Sequence, residues 1–405
     1  MTISPSQLPA HVSPDLVRDY PITYGGVTAE NPFTTIIPGV HKLPEVFYAL
    51  DAYPGFTPAW IVRRTEDLRK IYFDTEHFSN KDFAPFAKII GETWSSLPVE
   101  TDPPMHALYR AFVNPIFTPK AMTQLEGRIR GYAREYVEGF KTTGRCEFMA
   151  DFAFEFPIKI FLELMGLPHE LTPRFMAWEM DLLHNSDMGR LAQATRNVVD
   201  YLRGEIADRE INPRDDLISY GVKATVDGRK LTNDELVGFA FNLFIGGLDT
   251  VSTNMGWQFR HLAEHPEDQR MLRTNPSMIP DAIEEMMRAY GAVTTFRTCI
   301  KETEIRGVKI MPGDKVAMST AIAGRDPQEY DRPNEVVLTR KPHHVSFGYG
   351  PHLCVGMHLA RREMRIAMEE ILAGLPEFAI ADGQTLQAHL GGIIQPVELP
   401  LVWKV

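Results

Sequence analysis

The chain has 405 residues and carries 42 Lys+Arg against 53 Asp+Glu, a net charge of -11. That balance argues against a nucleic-acid partner and against a polybasic membrane surface, while 44% hydrophobic and 23% charged residues suit a large packed core. Three cysteines, Cys146, Cys299 and Cys354, lie far apart and form no C-x-x-C, which excludes a disulfide framework or a zinc ribbon and fits a reducing cytoplasm.

Met1 to Pro9 shows no basic stretch followed by an apolar one, so no secretory leader is read there. No run of about 18 apolar residues predicts a membrane span. Up to about Tyr53 the chain is rich in proline and glycine, which predicts an irregular surface segment. Trp60-Ile61-Val62 predicts a short strand, and Thr65 to Phe73 a helix capped by Thr65. Helical patterning dominates from about Met105 to Glu264, interrupted at Gly144, Pro168, Pro173 and Pro213. Its most regular part opens on Thr232-Asn233-Asp234-Glu235, a capping box, and ends at His265-Pro266. One unbroken helix over this span has about 32 residues and a length of roughly 48 Å. Its middle, Leu243 to Leu248, is apolar on every side and therefore buried. Gly246 and Gly247 there each cost about 1 kcal/mol against alanine, which close approach of a ligand explains economically. Beyond Tyr290 come strand-like pieces at 306–310, 315–318 and 400–402. No internal repeat or weak linker divides the chain. The predicted fold is mainly α with small β-sheets, one domain over residues 1–405.

Four groups of residues carry chemistry. His106 and Arg110 follow Asp102-Pro103-Pro104 and share a helix face at i, i+4, where two donors suit an anion. Asp249 and Thr250 put an acid and an alcohol beside the helix glycines. They can relay a proton, or else Thr250 bonds back to the carbonyl four residues earlier and Asp249 sits in a buried ion pair. Glu285 and Arg288 face one another at i, i+3 and can pair. The last is Phe347-Gly348-Tyr349-Gly350-Pro351-His352-Leu353-Cys354-Val355-Gly356. Its glycines permit positive φ and close backbone approach to something flat and bulky. An amphipathic helix starts just past Cys354, and its free N–H groups favour a thiolate. The alternative is a structural cysteine at a turn.

The Cys354 loop resembles the haem-binding loop of the cytochrome P-450 superfamily, and Gly246-Gly247-Leu248-Asp249-Thr250 is similar to the oxygen-activation element of its camphor-hydroxylating branch. The resemblance extends from about Phe78 to Trp403. It implies a haem-thiolate monooxygenase on the cytochrome P-450 fold, with haem b between the long central helix and the helix after the cysteine loop. It further implies Cys354 as the iron ligand, Phe347 and Gly356 as parts of the haem loop, and His106, Arg110, Arg297 and His352 as propionate partners. Asp249 and Thr250 would supply protons for the use of dioxygen. Glu285 and Arg288 would be scaffold, locked to a meander containing Arg325-Asp326-Pro327 and Asp331-Arg332-Pro333.

By the same resemblance Phe86, Trp94, Asn242, Ile245, Gly246, Val293 and Phe296 would line the substrate pocket. Trp94, Asn242 and Thr295 stand where the camphor branch carries tyrosine, leucine and aspartate. These departures point away from camphor, toward another small hydrophobic molecule such as a terpenoid or norisoprenoid ketone. The chain holds no G-x-G-x-x-G and no iron–sulfur motif, so electrons would come from a separate [2Fe–2S] ferredoxin and its NADH-dependent reductase, docking near Arg110, Lys341, Arg361 and Arg362. A cytoplasmic monomer is expected. A non-catalytic haem-binding sensor or carrier is the alternative, and it has no need of an Asp249–Thr250 pair. A peroxide-using relative would carry Arg-Pro at that pair. A cysteine hydrolase would need a His and an Asn that no motif places beside Cys354.

Overall fold

The computed structural model describes residues 8–53, 57–81, 84, 86–185 and 187–405. The capping box forms as expected: Thr232 Oγ1 accepts from the Glu235 N–H at 3.2 Å, and the Glu235 carboxylate accepts from the Thr232 N–H at 2.7 Å. The helix it starts runs Asn233–Gly247, breaks at Leu248 (φ -97°, ψ -70°), and resumes as Asp249–Glu264. The expected single helix is thus two. At the break the Thr250 hydroxyl donates to the carbonyl of Gly246 at 3.1 Å, next to the glycine pair, and such an inserted side chain loosens a helix locally. Pro266 does more than stop the second piece; it is the first residue of a new helix, Pro266–Thr274. By length and composition the Asn233–Glu264 segment could cross a membrane, yet 72% of its most apolar window is buried inside the protein, which makes it core.

Around this axis pack Pro119–Phe140, Glu155–Met165, Thr172–Leu183, Met188–Ile211, Ile279–Ala289 and Met357–Gly374. Phe148, Trp257, Met286 and Ile371 lie in one apolar core, and Val198, Phe239 and Phe241 in another. A five-stranded sheet takes the order Val46–Tyr53, Thr57–Val62, Lys315–Ser319, Thr294–Cys299, Phe78–Ser79. Val316 stands opposite Trp60 in a parallel pair and opposite Arg297 in an antiparallel one, which brings residues far apart in sequence to one side of the helical core.

Three local expectations change. The stretch up to Tyr53 is not irregular throughout: Val46 to Ala49 are buried, and this apolar run forms a sheet strand rather than surface coil. Thr65 does not cap its helix. Arg64 holds that position and the Thr65 hydroxyl donates to the Ala323 carbonyl at 2.8 Å. In the 306–310 stretch the strand begins only at Val308, because Arg306 (φ 50°) and Gly307 (φ 80°) make the hairpin turn.

The Glu285–Arg288 pair is wholly buried and bidentate, both bonds 2.8 Å. Arg288 also donates to the carbonyls of Gly324, Pro333 and Glu335, and Glu285 accepts from the Val337 N–H and from Arg340. Asp326 accepts from Arg64 at 3.0 Å and from the Thr65 N–H at 2.9 Å. This network pins 324–340, the segment preceding the cysteine loop, to the helical core.

Candidate active site

The cysteine loop is built on two left-handed glycines, Gly348 (φ 71°) and Gly350 (φ 67°). A side chain at Gly350 would meet the Tyr72 carbonyl at 3.0 Å, so close approach as well as conformation demands glycine. The Cys354 N–H donates to the Phe347 carbonyl at 2.9 Å and closes the loop. The helix Met357–Gly374 begins directly after Gly356, as expected. Cys354 lies deep in the molecule with its surface open to a cavity rather than to the exterior. Burial pushes its thiol up, against the Gly356 and Met357 N–H groups and the charges of Arg110 and Arg361. A cation bound at the sulfur tips that balance to thiolate.

The cavity has a volume of about 340 Å³. His106, Arg110, Arg297 and His352 all line it beside Cys354. Arg110 Nη1 donates to the Leu353 carbonyl at 2.8 Å, and Asn80 Nδ2 lies 3.0 Å from His352 Nδ1. The His106 and His352 rings are 3.9 Å apart. His106 Nε2 is buried without a hydrogen-bond partner among the described residues. Arg297 is buried over the Tyr72 ring, its hydrogen bond among the described residues going to its own neighbour's carbonyl at Phe296, and burial pushes it down to about 10. Burial likewise lowers His106 to about 4 and His352 to about 2. Donors crowded together at such cost fit a dianionic group in the cavity, and the two propionates of a haem meet that need.

Asn242, Gly246, Thr250 and Asn254 fall at i, i+4 spacing and form one stripe along the cavity wall. A methyl on Gly246 would meet nothing within 4 Å, so the open space predicted at the glycine pair lies at Gly246, whereas Gly247 is backed by Phe161 at 3.6 Å. Asp249 points elsewhere, into a polar pocket behind the helix. Both readings left open for the pair are therefore partly realised: Thr250 is back-bonded, and it also lines the cavity.

Of the residues expected to form the substrate pocket, Asn242, Gly246 and Val293 line this cavity and Phe86, Trp94, Ile245 and Phe296 do not. Phe86 and Trp94 pack on the Phe241 ring at 5.3 and 4.7 Å, and Phe241 belongs to the core on another side of the helix from Asn242. Ile245 is turned about 100° from Gly246 and packs on that same core. Phe296 is excluded by strand alternation: Thr295 and Arg297 face the cavity, so the residue between them faces away. Asn254 was not foreseen, although the four-residue spacing from Thr250 signals it. The cations expected to dock a partner are also less free than their sequence positions suggest. Arg110 faces the cavity, Arg361 pairs with Glu284 at 2.6 Å, Arg362 pairs with Glu126, and Lys341 lies 3.3 Å from Asp281. Each carboxylate comes from a distant helix, which sequence proximity hides.

Residues 165–375 match the Cytochrome P450 family, a span that contains Asp249, Thr250, Glu285, Arg288 and Cys354. The chain belongs to the cytochrome P450 family. It is 35% identical to the probable cytochrome P450 127A1 of Sinorhizobium fredii (strain NBRC 101917 / NGR234) over 99% of this chain and 98% of that protein. The crystal structure of cytochrome P450 CYP101C1 superposes with a TM-score of 0.87 at 32% identity, covering 98% of this chain and 100% of that one. That of CYP101J2 gives 0.87 at 30% identity, with the same coverage. The protein is accordingly a P450 monooxygenase that uses haem b and dioxygen, and its helices and small sheets follow the P450 fold.

Proposed function

We propose that this P450 hydroxylates a small hydrophobic molecule bearing one carbonyl or hydroxyl, a terpenoid or norisoprenoid ketone by class, with electrons from a [2Fe–2S] ferredoxin and its NADH-dependent reductase in the cytoplasm. The observation that carries it is the convergence on one cavity of a cysteine sulfur, four propionate-type donors and the Asn242–Thr250 stripe. The haem, when bound, supplies the oxidising chemistry that inserts one oxygen atom into substrate. Cys354 holds the iron, with Phe347 and Gly356 shaping its loop, and His106, Arg110, Arg297 and His352 hold the propionates. Thr250 offers a hydroxyl at the cavity wall that can donate and accept, and Asp249, one residue earlier, holds the proton supply behind it. Phe161, Leu164, Leu217, Leu243, Val251 and Val293 give the cavity its apolar character, and Asn242 stands among them as a polar group for a substrate oxygen.

Cys354→Ser is expected to abolish the thiolate-specific red-shifted band of the reduced carbonyl complex, and retention of that band would refute the ligand assignment. Thr250→Ala is expected to go on consuming NADH while releasing peroxide in place of product. Product formation coupled as in the wild type would place the proton supply elsewhere.

A further inference from the structure

Asp249 is held from behind by three neighbours. Gln395 Nε2 donates to Oδ1, Thr253 Oγ1 donates to the same oxygen at 3.3 Å, and His184 Nε2 lies 3.1 Å from Oδ2. The carboxyl of Glu179, from the Thr172–Leu183 helix, stands beside that of Asp249. One ligand-type atom each from Glu179, His184 and Asp249 lies within 4.8 Å of the others. Glu179 is 3% exposed, Asp249 0%, and the His184 side chain 2%. Two carboxyl groups buried side by side hold a proton between them, since two bare carboxylates repel one another and offer only acceptors. Burial first, and the Asp249 charge second, push the Glu179 carboxyl far above the usual carboxylate range. Its Oε1 is buried with no hydrogen-bond partner among the described residues, which a neutral acid tolerates better than an anion.

The outward route is also visible. The His184 ring lies 5.1 Å from that of His389. His389 is half-buried on the strand Ala388–His389, opposite Val27, which is 54% exposed. The titratable groups around the Asp249 carboxyl are therefore Glu179 and His184 from the Thr172–Leu183 helix and its cap, and His389 from the strand. Gln395 and Thr253 are neutral.

We propose that Glu179 and His184 serve Asp249 as a proton store and a proton conduit: Glu179 keeps one proton against the Asp249 carboxylate, and the His184–His389 ring pair replaces it from solvent. One proton passes from Glu179 to Asp249, Glu179 is left as a carboxylate, and His184 returns a proton to the pair; no electron moves. Both are positioning residues. The proposal rests on the reading of Asp249 and Thr250 as the proton supply.

Glu179→Gln in the holoenzyme tests it. The amide keeps the shape and can still donate to Asp249, but it cannot release a proton, so a merely structural Glu179 predicts little change. The store predicts an unaltered haem content and reduced carbonyl spectrum, with product formation falling about tenfold or more and its pH profile displaced. It also predicts an infrared carbonyl-stretch band of a protonated carboxyl in the wild type at neutral pH, missing from Glu179→Gln. A wild type without that band, a Glu179→Gln enzyme with wild-type rate and pH profile, or a stoichiometric non-haem divalent cation in the purified protein would overturn the proposal. If Glu179→Gln does not fold, His184→Gln carries the same test: it keeps a donor to Asp249 but cannot titrate, and a wild-type rate and pH profile in it would refute the conduit. Asp249→Asn separates the two levels. If it slows turnover while Glu179→Gln does not, the store is wrong and the Asp249–Thr250 reading stands; if it turns over normally, that reading has failed.

Discussion

Arg110 donates to the carbonyl of Leu353 at 2.8 Å, so a residue that faces the cavity also ties down the peptide just before Cys354. Its charge acts on the Cys354 sulfur as well, opposing the effect of burial on the thiol. Arg110→Leu removes the bond, the charge and, on the proposed function, one propionate donor together. A lost hydrogen bond to a charged group is worth about 1.5–3 kcal/mol, so haem retention is expected to weaken by roughly tenfold or more. Haem transfer to an excess of apomyoglobin measures it, and an unchanged transfer rate in Arg110→Leu would contradict the assignment. Arg110→Lys, which keeps charge without the guanidinium geometry, is expected to fall between.

Arg288 with Glu285 gives a prediction about the scaffold alone. Arg288→Met leaves the Glu285 carboxylate buried with only Arg340 and the Val337 N–H, and frees the carbonyls of Gly324, Pro333 and Glu335. Breaking a buried pair from one side costs about 3–5 kcal/mol. Denaturant melts of the wild type and the variant are expected to differ by that amount. A difference below ~1 kcal/mol would show that 324–340 is held by its apolar contacts instead.

Much of this was legible in the sequence. The capping box at Thr232, the left-handed glycines of the cysteine loop and the Glu285–Arg288 spacing are local rules that packing did not overrule. The pocket was harder to read. Phe296 sits one residue from Arg297, and only knowledge that Thr294–Cys299 is a strand shows that neighbours point to opposite faces. Phe86 and Trp94 are aromatic in an apolar context, which suits a pocket wall and a core equally. The polar cluster behind Asp249 could not be foreseen at all: Glu179 and His184 belong to one helix and its cap, Gln395 to a distant strand, and nothing in the sequence marks either segment as a neighbour of Asp249.

Acid stability offers an independent check on the helix after the cysteine loop. Glu284 is partly buried, which alone would raise its carboxyl, but hydrogen bonds from Arg361 and His344 outweigh burial and hold it at about 2 against an ordinary 4.5. A carboxyl depressed by folding stabilises the protein fully above its unfolded value, and that stability is lost as pH falls from about 4.5 toward 2. Glu284→Gln is expected to lower stability at neutral pH and to flatten the acid limb in that window, since the amide does not titrate. Wild-type and variant melting temperatures that run parallel from neutral pH down through that window would show that Glu284 contributes nothing to acid unfolding.

Asn242 lines the cavity and Trp94 does not, so the proposed function gives the substrate oxygen to Asn242. Trp94, expected in the pocket and able to donate through its indole N–H, packs on Phe241 in the core instead of lining the cavity. Asn242 lines the cavity a turn before Gly246 and one face with Thr250, among Phe161, Leu164, Leu243 and Val251. A substrate carbonyl that accepts from its amide gains about 0.5–1.5 kcal/mol, and a buried amide left without a partner loses more. Asn242→Leu is therefore expected to weaken a bound terpenoid or norisoprenoid ketone by roughly tenfold while sparing or improving the corresponding hydrocarbon. Trp94→Phe is expected to leave both affinities alone and to cost stability only. Titrations followed by the haem spin-state shift measure all four combinations. If Asn242→Leu lowers ketone and hydrocarbon affinity equally, Asn242 shapes the cavity without reading the oxygen, and if Trp94→Phe selectively weakens the ketone, the substrate reaches beyond the cavity wall seen here.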